Sequence, residues 1–327
     1  MTSITDSFNR PINYLRISVT DRCNLRCIYC MPLEGIDLLN HGDILRYEEI
    51  LQIARAAVEL GISRIRLTGG EPLVRARLGE LVRMLADIDR VDDLSMTTNG
   101  ILLKQYAYDL KAAGLHRVNV SLDSLKPERF SSITRTGSLE DVLAGIEAAN
   151  AAGLKPVKIN TVVMRGINDE EIVDFARKTV DEGWHVRFIE FMPVGDSYDN
   201  NQGRFMSLDE ITKRIEELGP LQPGKLNGNG PAKYYRLAGA SGTIGFISPI
   251  SKHFCFQCNR LRLTADGKLR PCLLSDEEID LRSPLREGAN AEELKTLIRY
   301  AIDSKPACHQ LNMGTSPHDR SMCQIGG

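Results

Sequence analysis

Residues 12–30 read INYLRISVTDRCNLRCIYC. The first eight alternate: Arg16 and Ser18 share one side of an extended chain, and Leu15, Ile17 and Val19 share the other. Directly behind come Cys23, Cys27 and Cys30, in the spacing C-x3-C-x2-C. A strand that runs straight into a cysteine-rich loop puts three thiols at its C-terminal end. That is the end at which α/β barrels bind their ligands.

The alternation continues outward at the spacing of βαβ units. Strands are expected at 12–19, 63–68, 93–99, 117–123, 157–163 and 186–192. Helical patterns fill the gaps, several ending in Gly, and a further helix, SLDEITKRIEEL, follows the sixth strand. Arg66 shares a face with Thr68, Thr97 with Asn99, Ser121 with Asp123, and Lys158 with Asn160. The opposite faces carry Ile65, Leu67, Val118, Val120, Val157 and Ile159. A doubly wound sheet is covered by helices on both faces and reads apolar throughout. One polar face on five strands instead fits a barrel lumen around a polar ligand. The fold class read here is α/β, a partial (βα)6 TIM-type barrel spanning residues 1–225. The sixth strand is less clean, because Glu190 and Met192 share parity with Val186 and Phe188.

Pro, Gly and Asn cluster at 222–235, which reads as a linker or loop. Residues 226–327 are less regular and form the second expected domain, closing the barrel and ending in Gly326-Gly327. A net charge of −2 points to neither nucleic acid nor an anionic membrane, so any phosphate site must be local. No apolar run approaches a membrane span and no signal-peptide core opens the chain, so a cytoplasmic location is expected. A reducing compartment disfavours structural disulfides. Yet six of the eight cysteines fall in two sets of three, which points to metal. Cys308 and Cys323 read as ordinary thiols.

Zinc sites usually offer four ligands in paired spacings. Three thiolates at the spacing of Cys23, Cys27 and Cys30 suit three irons of a four-iron cubane and leave the fourth iron open. A zinc knuckle with a distant fourth ligand is the alternative. The second set, Cys255, Cys258 and Cys272, reads C-x2-C-x13-C. With His253 as fourth ligand it also reads as a small zinc ribbon. Arg260 and Arg262 weigh against the ribbon, since cationic forks beside the metal serve a phosphate and not a structural ion.

The triplet with Tyr29 before its last cysteine, and Gly69-Gly70-Glu71-Pro72 behind the second strand, resemble the signature of the radical SAM superfamily. Asn259-Arg260-Leu261-Arg262 within the second triplet and the terminal Gly-Gly narrow the resemblance to the MoaA-type GTP 3′,8-cyclases of molybdenum cofactor synthesis. It covers residues 10–327.

The resemblance implies two [4Fe-4S] clusters, on Cys23/Cys27/Cys30 and on Cys255/Cys258/Cys272, with S-adenosylmethionine chelated at the open iron of the first. It implies SAM contacts at Tyr29, Gly69, Gly70, Glu71, Ser121 and Met192, and GTP contacts at Arg16, Arg66, Thr97, Lys158 and Arg260 to Arg262. Cleavage of SAM would give a 5′-deoxyadenosyl radical that takes the 3′ hydrogen of the GTP ribose. Ring closure on carbon 8 and reduction would give 3′,8-cyclo-7,8-dihydro-GTP. The second cluster would hold guanine, and Gly326-Gly327 would reach the active site, although terminal glycines also fray. The implied partners are GTP, a flavodoxin-like or similar reductant, and a downstream pyranopterin monophosphate synthase that takes over the product. Neither nucleic acid nor membrane is implied, and a homodimer stays open. A peptide-modifying radical SAM enzyme is the neighbouring alternative.

Overall fold

The computed structural model describes residues 4–192, 203–309 and 320–326. Six parallel strands stand side by side in chain order: β1 (Tyr14–Ser18), β2 (Arg64–Thr68), β3 (Asp93–Thr98), β4 (Arg117–Ser121), β5 (Lys158–Val163) and β6 (His185–Glu190). Helices return the chain between them: α1 (Tyr47–Glu59), α2 (Leu78–Ala86), α3 (Leu103–Ala112), α4 (Pro127–Thr134), α5 (Leu139–Ala151) and α6 (Ile172–Asp181). Each strand turns one face to these helices. Leu15, Ile17, Ile65, Leu67, Val118, Val120 and Ile159 lie in one buried apolar cluster with Ile50, Ile53 and Leu81 of the helices. Burial of that face fixes the register, because a one-residue slip would put every arginine into the core.

The remainder of the chain, α7 (Leu208–Ile215), β7 (Gln222–Pro223), β8 (Lys233–Arg236), β9 (Thr243–Ile247), β10 (Arg260–Leu263), β11 (Lys268–Arg270), β12 (Ile279–Asp280), α8 (Arg282–Arg286) and α9 (Ala291–Asp303), is more regular than its composition indicates. It lengthens the sheet at both edges. β9 pairs parallel with β6, and β10 pairs parallel with β1, with Arg262 opposite Arg16. β7–β8 and β11–β12 finish the edges antiparallel. Helices α7 and α9 start on capping boxes, Ser207 with Glu210 and Asn290 with Glu293.

Three local differences have physical causes. The segment 222–235 is a β7–β8 hairpin and not a free linker; its tip folds back against the barrel, where Asn227 O accepts from Lys158 Nζ and Asn229 donates to Asp93. Helix α4, not expected from the sequence, begins with Pro127 at its first turn, where the missing N–H costs nothing. In β6, Val186 and Phe188 face the core while Arg187 and Ile189 face the lumen. Glu190 is tied to the backbone N–H groups of Leu208, Ile250 and Ser251, 2.8–3.0 Å away.

Candidate active site

The loop carrying Cys23, Cys27 and Cys30 leaves β1 and is held on two sides. Arg26 N and Ile28 N donate to Thr134 O and Ile133 O at the end of α4, both at 3.0 Å. On the other side the second strand's turn lies against it: Gly70 N donates to Thr20 O at 2.7 Å and Glu71 N to Arg22 O at 2.8 Å. A Cβ on Gly69 would stand 2.5 Å from Thr20 O, and one on Gly70 would stand 2.4 Å from Arg22 O. Only glycine permits that approach. The Glu71 carboxylate accepts from Leu73 N, Thr98 Oγ1 and Asn99 N at 2.7–3.0 Å. Burial still pushes it up to about 7. Its side chain thus joins the ends of β2 and β3. Asn99 Nδ2 in turn donates to Asn24 Oδ1 of the cysteine loop at 2.8 Å.

Tyr29 points its hydroxyl at Asp123, just past β4, and donates to Oδ2 at 2.6 Å. Burial raises the Asp123 carboxyl to about 6 despite this bond and the one from Val162 N. Burial likewise pushes the Cys23 thiol up to about 11 and raises Cys27 further. Such thiols surrender their protons to a bound cation, not to water.

The lumen is a cation cage. The cavity between β1–β6 and the C-terminal strands is lined by Arg16, Arg66, Arg187, Arg260, Arg262 and Lys305, and by no carboxylate among the described residues. Arg262, Arg16 and Arg66 sit in register on three adjacent strands. Like charges in register repel, and burial adds to it: Arg16 is lowered to about 10 by burial and then by Arg66 and Arg260. Arg262 is lowered by burial, Arg16 and Arg260. The Nε atoms of Arg66 and Arg187 and the Oδ1 atoms of Asn119 and Asn160 are buried without a protein partner among the described residues. An anionic ligand with several phosphates would answer both the charge and the empty donors.

Cys255 and Cys258 flank a tight turn just before β10, and Cys272 follows β11; all three line the same cavity. Burial opposes ionisation of Cys258, but Arg260 and Lys305 bring its thiol down to about 6. Arg10 holds this corner, donating to Cys255 O at 2.8 Å, Ala307 O at 2.9 Å and Pro306 O at 2.7 Å. Asp6 orients it at 2.6 Å.

The tail enters between the two cysteine sets. Arg320 pairs with Asp266 at 2.8 Å and Glu278 at 2.6 Å. The buried Cys323 meets Cys30, and Gly326 O accepts from Arg16 at 3.1 Å and Arg262 at 2.9 Å. Gly326 has φ +69°, and a Cβ there would stand 2.8 Å from Thr68 Cγ2. Gly327 lies outside the described residues.

The structure therefore brings Arg16, Arg66, Thr97, Met192, Arg260, Arg262 and the second triplet to one cavity. Ser121, Tyr29, the Gly-Gly turn and the first triplet stand at the C-terminal ends of the strands, outside its lining. Lys158 is the first residue of β5, at the opposite end. The Leu261 side chain points into the core, so only its backbone is left to meet a ligand. Arg187, Asn119 and Arg10 were missed. Parity marks the first two; the carbonyls that Arg10 holds at this corner lie about 250–300 residues away and leave no local trace.

Each triplet offers three thiols, the number that three irons of a four-iron cubane would take. Among the described residues no three His, Cys, Asp or Glu side chains close on a single-ion point.

Residues 17–179 match the family model of the radical SAM superfamily, and residues 184–311 match the model described as Molybdenum Cofactor Synthesis C. Streptococcus suis SuiB bound to S-adenosylmethionine superposes with a TM-score of 0.63 at 13% identity, over 96% of this chain and 77% of that one. That likeness shows the fold. The matched family model, with the strand, triplet and glycine turn, defines a radical SAM enzyme with a partial TIM barrel. Full-length relatives narrow the class. The "GTP 3′,8-cyclase" of Moorella thermoacetica is 55% identical over 323 residues, 98% of this chain and 99% of the relative. Those of Pelotomaculum thermopropionicum and Heliobacterium modesticaldum are 55% and 52% identical, over the same shares. The chain belongs to the GTP 3′,8-cyclase family.

Proposed function

We infer that the chain converts GTP to 3′,8-cyclo-7,8-dihydro-GTP, the first step of molybdenum cofactor biosynthesis. The observation that carries it is the cavity whose lining, among the described residues, holds five arginines, a lysine, three cysteines and no carboxylate. A peptide substrate has no use for so concentrated a cation set; a triphosphate does.

Cys23, Cys27 and Cys30 would hold one [4Fe-4S] cluster and Cys255, Cys258 and Cys272 a second. Bound cluster and S-adenosylmethionine supply the one-electron chemistry and a carbon radical that abstracts hydrogen. The chain does the rest. The glycine turn and Tyr29 hold the cysteine loop in place. Ser121, Met192 and the backbone of Gly69 to Glu71 meet S-adenosylmethionine. Arg16, Arg66, Arg187, Arg262 and, deeper, Lys158 neutralise the triphosphate. Thr97 and the Arg260–Leu261 backbone orient the nucleoside. Guanine lies at the second triplet. The packed walls exclude water, so the radical meets one hydrogen and little else. Gly326 fills the remaining gap beside Arg16 and Arg262.

The external partners are a low-potential reductant such as a flavodoxin and a synthase that receives the labile product. The setting is a reducing cytoplasm, which keeps eight thiols unpaired. A homodimer is compatible with this chemistry and not required by it. None of the described helices is long and apolar enough to cross a membrane.

The test is anaerobic incubation of cluster-loaded protein with S-adenosylmethionine, GTP and a reductant. Equal amounts of 5′-deoxyadenosine and a GTP isomer are expected. Deoxyadenosine formed without GTP, and no new nucleotide, would overturn the reading.

A further inference from the structure

Among the lumen's polar groups, Asn119 carries an atom, its carbonyl Oδ1, of the wrong chemical kind for a phosphate. It stands in the middle of β4, 2% exposed, and its Oδ1 has no protein partner among the described residues. A buried carbonyl left unpaired is costly. Phosphate oxygens are acceptors and give this oxygen nothing. A ligand must bring it an O–H or N–H. A nucleotide carries such donors on its ribose and on its base.

Register separates those two. Asn119 pairs across the sheet with Thr97 on one side and Lys158 on the other. Ser121, two residues nearer the C-terminal end, pairs with Asn160. Asn119 thus lies one step below the level assigned to S-adenosylmethionine and level with two groups assigned to GTP. The second triplet, where the base belongs, flanks β10, four strands away in the order β10-β1-β2-β3-β4. The part of the nucleotide between base and phosphates, facing the cofactor, is the ribose.

We propose that Asn119 accepts a hydrogen bond from a ribose hydroxyl of GTP and so fixes the sugar beneath the hydrogen-abstracting cofactor. The inference rests on the GTP reading above. It makes Asn119 a substrate-holding residue that selects against a nucleotide lacking the hydroxyl it binds.

The test is equilibrium binding to cluster-loaded enzyme, anaerobic and without reductant, of GTP, 2′-deoxy-GTP, 3′-deoxy-GTP and S-adenosylmethionine. Wild type should bind GTP about fivefold or more tighter than one of the two deoxy analogues, the loss of one neutral hydrogen bond. Asn119→Ala should weaken GTP by about that factor and bind that analogue as wild type does, so the ratio falls toward one. Its S-adenosylmethionine affinity should not change. Asn119→Asp keeps the acceptor and adds a charge, so it should weaken every nucleotide yet keep the ribose preference; it also serves should the alanine variant load clusters poorly. An Asn119→Ala variant with the wild-type ratio overturns the inference alone. So does one that loses S-adenosylmethionine affinity and keeps that for GTP, which would give the amide to the cofactor. Wild type that binds no GTP overturns the function reading and this inference with it.

Discussion

Replacing Lys158 by methionine should stabilise the protein at neutral pH while removing part of its grip on GTP. Lys158 is 2% exposed and faces Arg187, Arg117 and Arg66; burial, then these cations, bring its ammonium from 10.5 to about 6. The unfolded chain therefore binds a proton that the folded chain releases between pH 6 and 10.5. Stability rises with pH across that window, and the full penalty applies below pH 6. At pH 7.5 the shift costs about 1.36 × 3, or ~4 kcal/mol. Methionine escapes that cost and forfeits the hydrogen bond to Asn227 O, worth about 1 kcal/mol. The balance is a gain of roughly 3 kcal/mol at pH 7.5, vanishing by about pH 10. Thermal unfolding of cluster-loaded protein at pH 7.5 and 9.5 measures it, at roughly 2–4 °C per kcal/mol for a chain somewhat shorter than this. GTP should raise the melting temperature of wild type more than that of the variant, because the triphosphate restores the ammonium charge. A variant less stable than wild type at pH 7.5, or a gain independent of pH, would refute the reasoning.

Gly326→Ala forces a side chain into the left-handed region and against Thr68, so turnover should collapse while iron content stays at the wild-type level; unimpaired turnover would remove the tail from the site. Cys272→Ser should lower iron from about eight to about four per chain, with deoxyadenosine formation retained in part; loss of zinc in place of iron would restore the ribbon reading. Arg262→Ala should weaken GTP about 10- to 100-fold, the range for a charge-assisted bond, and flatten the salt dependence of binding, both read by titration. Tyr29→Phe leaves Asp123 Oδ2 without its donor and should speed iron loss from the first cluster; an unchanged rate would make the bond between them incidental.

The barrel and its lining were legible because two local periods meet. Strand parity divides Arg16 and Arg66 from Leu15 and Ile65, and cysteine spacing marks the loop that follows. Arg187 was passed over although parity marks it, because the run read as strand extends two residues past the end of β6 at Glu190, and Glu190 and Met192 make its alternation look less clean. Glu190 instead holds Leu208, Ile250 and Ser251. The segment 222–235, read as a linker or loop, holds the loop of a hairpin, and its docking went unread for a related cause. Its glycines and asparagines signal a turn, and only tertiary contact shows that the turn lies against Lys158 and Asp93. Arg10 belongs to the same group, since the carbonyls it holds were far along the chain. Local rules read elements; closures made by distant residues stay silent in them.

The pairing of β10 with β1 has a consequence for synthesis. Tyr14 waits for Arg260, so one border of the parallel sheet stays without a neighbour until more than three-quarters of the chain has left the ribosome. The other border waits for Thr243 to meet His185. A half-made chain therefore exposes two open sheet edges, the form most prone to sticking to its like. Such distant pairings also make the sheet slow to form. The nascent protein would benefit from shielding over this interval, and a chain truncated before residue 260 should aggregate, not persist as a free-standing half barrel.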